Sequence, residues 1–268
     1  AGLLAAVVMA VAPPAARVSA AEEVDTTVTA KAVIELGICP NGFNQQRGLG
    51  ESSLCANQDP LGRLVIGLYG NAVPRTVANF SAAAAAGAYN GTLIHKILPG
   101  AYVLAGKQGP ARLGGVTAPR DVPPNTELTT ASAFKLEHFY PGTVSLPLGA
   151  NDDDDRLRLR PGYANLEFLI TTGPGPVPSL DGENVVFGRV IEGLGTLSAL
   201  ADVPTFYPPE RSRMLNNVAK VIGDDRAAKA QSNWGRPLKP VRRSSLSPSA
   251  ASTHRLALAS RQCSLTIF

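Results

Sequence analysis

The sequence is poor in aromatic side chains, histidine, cysteine and long apolar runs, and each shortage removes a class of protein. Aromatics make up 6% of the 268 residues, with a single tryptophan, Trp234. Nucleic-acid binders interleave basic side chains with stacking platforms, and Trp234 has no aromatic neighbour in its segment. Three histidines and three cysteines, widely scattered, do not make a metal-ligand pattern. The apolar run from Ala1 to Ala12 is too short for a transmembrane helix, which needs about 20 residues. Acidic residues are missing from Arg226 onward, where eight basic ones lie, so the formal charge of +4 is a basic tail on an acidic body. That body has 17 basic residues against 21 acidic ones, which excludes a basic groove. The 26 glycines and 22 prolines follow no regular spacing, which rules out collagen. A 44% hydrophobic share with 17% charge rules out a disordered chain.

What is present is a β pattern with two helices. Val28–Ile38, Arg63–Gly70, Leu93–Leu98, Tyr102–Gly106, Thr143–Leu148, Leu166–Thr172 and Val185–Ile191 read as short strands bounded by turn residues. Pro74 opens a helix in the position where its missing N–H costs nothing, and Gly87 can end it in a left-handed conformation. A second helix covers Leu194–Val203 and stops before Pro204. Many short strands with few helices predict a closed or nearly closed barrel. Residues 1–20 end in Val18-Ser19-Ala20 after an apolar stretch, the form of an export signal cleaved after Ala20. Residues 227–268, rich in Ser, Pro and Arg, are expected to be a disordered, dispensable tail.

Five segments in fixed order are more specific: GRLVIGLYGNAVPRTVANF (Gly62–Phe80), YNGTLIHKILPG (Tyr89–Gly100), FKLEHFYPGTVSL (Phe134–Leu146), LEFLITTG (Leu166–Gly173) and LDGENVVFGRVIEG (Leu180–Gly193). Together they resemble a cyclophilin-type peptidyl-prolyl isomerase domain over residues 28–222. The resemblance implies a mainly β fold, a closed eight-stranded antiparallel barrel capped by two α-helices. It also implies proline-containing polypeptide clients, no cofactor and no metal. The rotation barrier of a peptide bond is about 18–20 kcal/mol, and a catalyst lowers it by seating the proline in an apolar pocket and favouring the twisted amide. The family's group for that last task is an arginine, whose guanidinium is always charged and has a rigid fork of donors.

Carried over position by position, the resemblance puts Lys96 where that arginine stands, with His95 beside it as a packing residue. It puts substrate contacts at Ala101, Tyr102, Leu104, Leu148, Phe168, Leu169, Leu180 and Asn184. Several depart from the family. Ala101 and Leu169 replace pocket phenylalanines, Leu104 a substrate-anchoring glutamine, Ser179 a tryptophan and Asn184 a histidine. At about 1–3 kcal/mol per lost contact, these changes predict weak isomerase activity. The competing expectation is a binding module that holds a proline peptide without turning it over.

The remaining motifs concern the compartment. Cys39 and Cys55 bracket CPNGFNQQRGLGESSLC between the first two strands. In an exported protein such a pair reads as a disulfide worth about 3 kcal/mol; the alternative is two buried thiols. Asp152–Asp155, followed by Arg156, Arg158 and Arg160, lacks the spacing of a calcium loop and reads as a solvated loop. Asn79 and Asn90 begin glycosylation sequons, of which only Asn90 is expected to be accessible. The signal-like segment and the cysteine insertion resemble the divergent cyclophilins of the chloroplast thylakoid lumen; a periplasmic or secreted protein is the alternative. A monomer without stable membrane insertion after processing is expected.

Overall fold

The computed structural model describes residues 24–39, 58–148 and 164–250. The segment 1–20, Cys55, the Asn151–Arg160 loop and Cys263 lie outside the described residues. Strands β1 (Ala30–Ile38) and β2 (Asp59–Leu68) pair antiparallel, with Ala32 opposite Ile66 and Ile34 opposite Leu64. Side chains alternate across a strand, so Ala32, Ile34 and Leu36 share one buried face with Leu64, Ile66 and Leu68. Strand β7 (Asn184–Glu192) lies beside β2. The strands approach so closely there that a Cβ on Gly188 would sit 2.5 Å from the Gly67 carbonyl oxygen.

The sheet continues through β5 (Thr143–Pro147), β6 (Phe168–Thr171), β4 (Tyr102–Ala105) and β3 (Ile94–Leu98), every neighbouring pair antiparallel. The first helix, α1 (Pro74–Ala85), buries Val77, Phe80, Ala83 and Ala84. Phe80 meets Tyr89, Phe168 and Phe187 at ring-centroid distances of 5.4, 5.4 and 5.1 Å. Pro74 is its first residue, as expected, and Gly87 beyond its end has φ +69°. Its N-terminus is capped from far along the chain: the Glu127 carboxylate accepts the Arg75 and Thr76 N–H groups, both at 2.8 Å. The second helix, α2 (Leu194–Ala201), buries Leu197 and Leu200 near the start of β2, where Thr196 lies against Gly62.

The eighth strand comes from the segment expected to be a disordered tail. Strand β10 (Val241–Ala250) pairs with β1 along its length, from Ala30 opposite Ala250 to Ile38 opposite Val241. Its other edge meets the chain just before β3. Gly91 N–H donates to Arg243 O at 2.8 Å, Arg243 N–H donates to Thr92 O at 2.9 Å, and Leu93 bridges Arg242. These bonds join the two ends of the sheet. The folded unit therefore extends past residue 222 to at least Ala250, and the expectation of disorder is corrected for residues 227–250; residues 251–268 lie outside the described ones. The Ser/Pro/Arg composition misleads because one face of VRRSSLSPSA is enough to hold it: Val241, Arg243 and Leu246 are buried. Asn90 also takes part, its Oδ1 accepting the Leu246 N–H at 3.1 Å.

Arg243 is fully buried beside the barrel's aromatic cluster. Its guanidinium carbon lies 5.0 Å from the Tyr89 ring centre and 5.1 Å from that of Phe168, and Nη2 donates to Thr92 Oγ1. Nε and Nη1 are buried without a hydrogen-bond partner. Loss of hydration pushes the guanidinium pKa down to about 10. Each ring face returns about 2 kcal/mol in so dry a place, which keeps the charge tolerable.

Between α2 and β10 the chain makes an insertion that the two-helix expectation did not include. It comprises β8 (Thr205–Phe206), α3 (Glu210–Val221), α4 (Asp225–Gln231) and β9 (Arg236–Pro237), with β8 paired to β9. Because β10 closes the barrel, a chain ending at Pro240 is expected to lose cooperative thermal unfolding and near-ultraviolet dichroism. A native-like melting curve for that truncation would refute the closure.

Candidate active site

Strand alternation sorts the barrel's side chains into two sets. On β4, Val103 and Ala105 point into the core while Tyr102 and Leu104 point outward; on β6, Phe168 and Ile170 are inside and Leu169 outside. The register then lines up the outward residues. Lys96 on β3 is opposite Leu104 on β4, Leu104 is opposite Leu169 on β6, and Leu169 is opposite Ser145 on β5. A second row holds Leu98, Tyr102 and Thr171. Four strands thus place a half-buried lysine at one end of an apolar strip on the outer wall.

Tyr102, Leu104, Leu169 and Leu180 form a cluster separate from the barrel core, with Leu98, Ala101 and Val177 packed at its edge. Exposure of the four central residues is 7, 2, 0 and 1%. Their side chains fill one another's space, so the apolar surface left open comes from Leu98, Ala101 and Val177, which are half-buried. Six of the residues expected at the site, Lys96, Ala101, Tyr102, Leu104, Leu169 and Leu180, are therefore gathered in one place.

Three lie apart from that cluster. Phe168 is fully buried inside the barrel, edge-on to Phe80 at 5.4 Å and to Tyr89 at 5.8 Å; the strand's period of two turns it away from Leu169. Asn184 is fully buried and already engaged, its Nδ2 donating to Leu180 O at 2.9 Å and its Oδ1 accepting Leu148 N–H at 3.1 Å. Leu148 packs on the inner core. Asn184 thus ties the end of β5 to the Leu180 wall and touches no open surface.

Two functional groups escaped the sequence reading. Glu167 is 4% exposed and its Oε1 lies 2.7 Å from His95 Nε2. A lone carboxylate two residues before Leu169, in an otherwise apolar strand, was the available signal, because i and i+2 share a face. His138 is the other. Its ring is fully buried, with Nδ1 2.8 Å from Asp181 Oδ1 and Nε2 2.8 Å from Ser145 Oγ. Its backbone N–H donates to Asp181 Oδ1 at 2.7 Å, and its carbonyl accepts Val177 N–H at 3.0 Å. Facing a carboxylate, Nδ1 carries the proton and Nε2 accepts from the serine. Nothing in the sequence joins residues 43 positions apart.

The order Ser145, His138, Asp181 matches that of a hydrolytic triad, but Ser145 is fully buried and no substrate carbonyl can reach it. The arrangement is a clamp. It fastens the 177–181 segment, and with it the Leu180 wall, onto β5 behind Leu169. Burial pushes the His138 pKa down, against a smaller upward pull from Asp181.

A closed antiparallel barrel with a cation and an apolar strip on its outer wall is the class of fold that the structure defines. Comparison makes it specific. Residues 54–220 match the family "Cyclophilin type peptidyl-prolyl cis-trans isomerase/CLD". The chain is 45% identical over 224 residues to "Peptidyl-prolyl cis-trans isomerase CYP28, chloroplastic" of Arabidopsis thaliana, covering 81% of this chain and 80% of that one. It is 29% identical over 215 residues to "Peptidyl-prolyl cis-trans isomerase CYP26-2, chloroplastic" of the same plant, covering 68% and 64%. Against "Peptidyl-prolyl cis-trans isomerase ppi1" of Schizosaccharomyces pombe the figures are 28% over 148 residues, 55% and 84%. The chain belongs to the cyclophilin family of peptidyl-prolyl isomerases.

The His138 clamp has a pH signature. A histidine whose folded pKa lies below its unfolded value of about 6.5 binds more protons when unfolded, so acid favours unfolding. Its contribution is whole above pH 6.5 and is lost as pH falls through the lower, folded value. The melting temperature is expected to drop between pH 7.5 and 5 by more in the wild type than in His138→Asn, which keeps a donor towards Asp181 but does not titrate. Parallel pH profiles would remove the histidine from the account.

Proposed function

We propose that the protein is a peptidyl-prolyl cis-trans isomerase acting on proline-containing segments of unfolded polypeptides, with Lys96 as the cation that meets the twisted amide. The observation that carries the reading is the row Lys96–Leu104–Leu169, which sets a positive charge at the end of an apolar strip on the family's barrel. The client's proline ring lies against Leu98, Ala101 and Val177, and the Leu180 wall held by His138 limits how far it can slide. As the bond twists, its nitrogen gains a lone pair that accepts from the Lys96 ammonium. No bond to the protein forms, so the rate gain is the difference between binding the twisted and the planar amide. An ammonium is a point charge without a fork, so the gain is smaller than with arginine.

The relatives named as chloroplastic support a chloroplast protein, and the signal-like residues before Ala21 support the thylakoid lumen within it. Cys39 is 2% exposed and disulfide-bonded, and Cys55 is its proposed partner, which suits an oxidising compartment. A monomer that acts on clients one at a time completes the reading.

A second reading, peptide binding without turnover, is favoured by the dense packing of Tyr102, Leu104, Leu169 and Leu180. Exchange spectroscopy on a short Ala-Pro peptide with the full chain separates the two. Catalysed exchange is expected in the wild type. Lys96→Ala is expected to lower kcat/KM at least tenfold, about 1.4 kcal/mol of barrier, and Lys96→Arg to raise it. Peptide binding at the spontaneous exchange rate would establish the second reading instead.

A further inference from the structure

The insertion between α2 and β10 carries a cavity of about 350 Å³, within the range of small-ligand pockets. Phe206, Pro208 and Trp234 supply its apolar walls, and Ser212 and Asn233 its polar groups; Asn216 also lines it, its Nδ2 donating to Ala227 O at 2.9 Å. None of its lining residues is charged, so it is not built for a nucleotide, a phosphate or any other ion. Aromatic rings with neutral hydrogen-bond donors are what a polyproline-II segment requires. Such a segment stacks its rings on flat faces and leaves its backbone carbonyls unpaired.

The cavity's position gives it a purpose. Trp234 is followed by Gly235, whose carbonyl accepts the Ile97 N–H at 2.7 Å and whose own N–H donates to Phe206 O at 2.9 Å. Gly235 thus joins the cavity's aromatic wall to the strand that carries Lys96. It has φ +75°, and a Cβ there would lie 2.9 Å from Ile97 O and 3.3 Å from Lys96 Cγ. Both the left-handed backbone and the close approach call for glycine. Gly235 therefore links β3, which also pairs with the strip's β4, to the segment that lines the cavity.

We propose that this cavity is a second subsite for the client polypeptide, taking a proline of a polyproline-II segment that flanks the isomerising bond. The naming of the client rests on the isomerase reading; occupancy of the cavity does not. A flanking subsite offsets the small open surface at Ala101, because two weak contacts on one chain act at a high effective concentration. It also makes the protein prefer clients with two prolines near each other over those with one.

Trp234, the chain's one tryptophan, reports on the cavity directly. The full-length protein is titrated with a soluble peptide of repeating Ala-Pro-Pro while tryptophan emission is recorded. A saturable blue shift is expected, with no shift for an all-alanine control. Ser212→Phe fills the cavity from an exposed helix position, so it leaves folding intact, and it is expected to abolish the shift. The same variant is expected to leave exchange in a short single-proline peptide unchanged and to raise KM for a longer peptide with two prolines. Emission unaffected by the proline-rich peptide, or shifted equally by the alanine control, would overturn the subsite. A protein that shows the shift yet isomerises nothing would uphold the subsite and reject the isomerase reading. One that isomerises without a shift would do the reverse.

Discussion

Closing a β-sheet into a barrel removes its unpaired edges, and here that closure rests on a short seam. Two backbone hydrogen bonds between Arg243 and the Gly91–Thr92 turn, with one bridge from Leu93 to Arg242, join the first strand of the sheet's order to the last. Without β10, strand β1 would be an edge and the inner faces of β1 and β3 would lie open to water. The site depends on the same seam, since β3 bears Lys96 and β10 holds its outer edge in place. Farther along that edge Gly235 takes over from β10 through its bond to Ile97. A mobile β3 would let the cation drift from the apolar strip.

The barrel tolerates charge in its interior where aromatic faces replace water. Arg243 packs against both Tyr89 and Phe168 at the seam, and burial lowers its pKa and raises that of Tyr89. An aliphatic residue would pack there at less electrostatic cost, so hydrophobicity alone does not account for it. The Thr92 hydroxyl it engages belongs to the turn that meets β10. The arginine therefore adds a side-chain link to a junction that has few backbone ones.

The outer wall shows a related economy. One strip of side chains, selected by the two-residue period and aligned by the register, holds the groups proposed to meet a client. The segment over it is held by a histidine with three short polar contacts to Asp181 and Ser145. The pocket wall is thus fixed by polar bonds behind it, and its front remains apolar. The insertion abuts β3 through Gly235, whose carbonyl accepts the Ile97 N–H, and places Trp234 next to that contact in the chain.

Much was legible without coordinates because it depends on local order. Pro74, Val77, Phe80 and Gly87 outline a helix by their spacing, and the short apolar runs LVIGL and VVFGRV, bounded by turn residues, mark strands. Motifs in fixed order led to the family and, through it, to Lys96, Tyr102 and Leu169. What remained hidden was decided by contacts between distant segments. The last strand carries two arginines, four serines and a proline among its ten residues, and no window of it looks like barrel. It is held because β1 offers a partner along its whole length, a fact about residues some two hundred positions away. Phe168 and Leu169 are neighbours of similar chemistry, and only closure of the sheet says which faces the core and which the outer wall. Likewise His138 meets Asp181 because two loops cross over Ser145. Periodicity is a property of the chain, whereas inside, outside and adjacent are properties of the folded barrel.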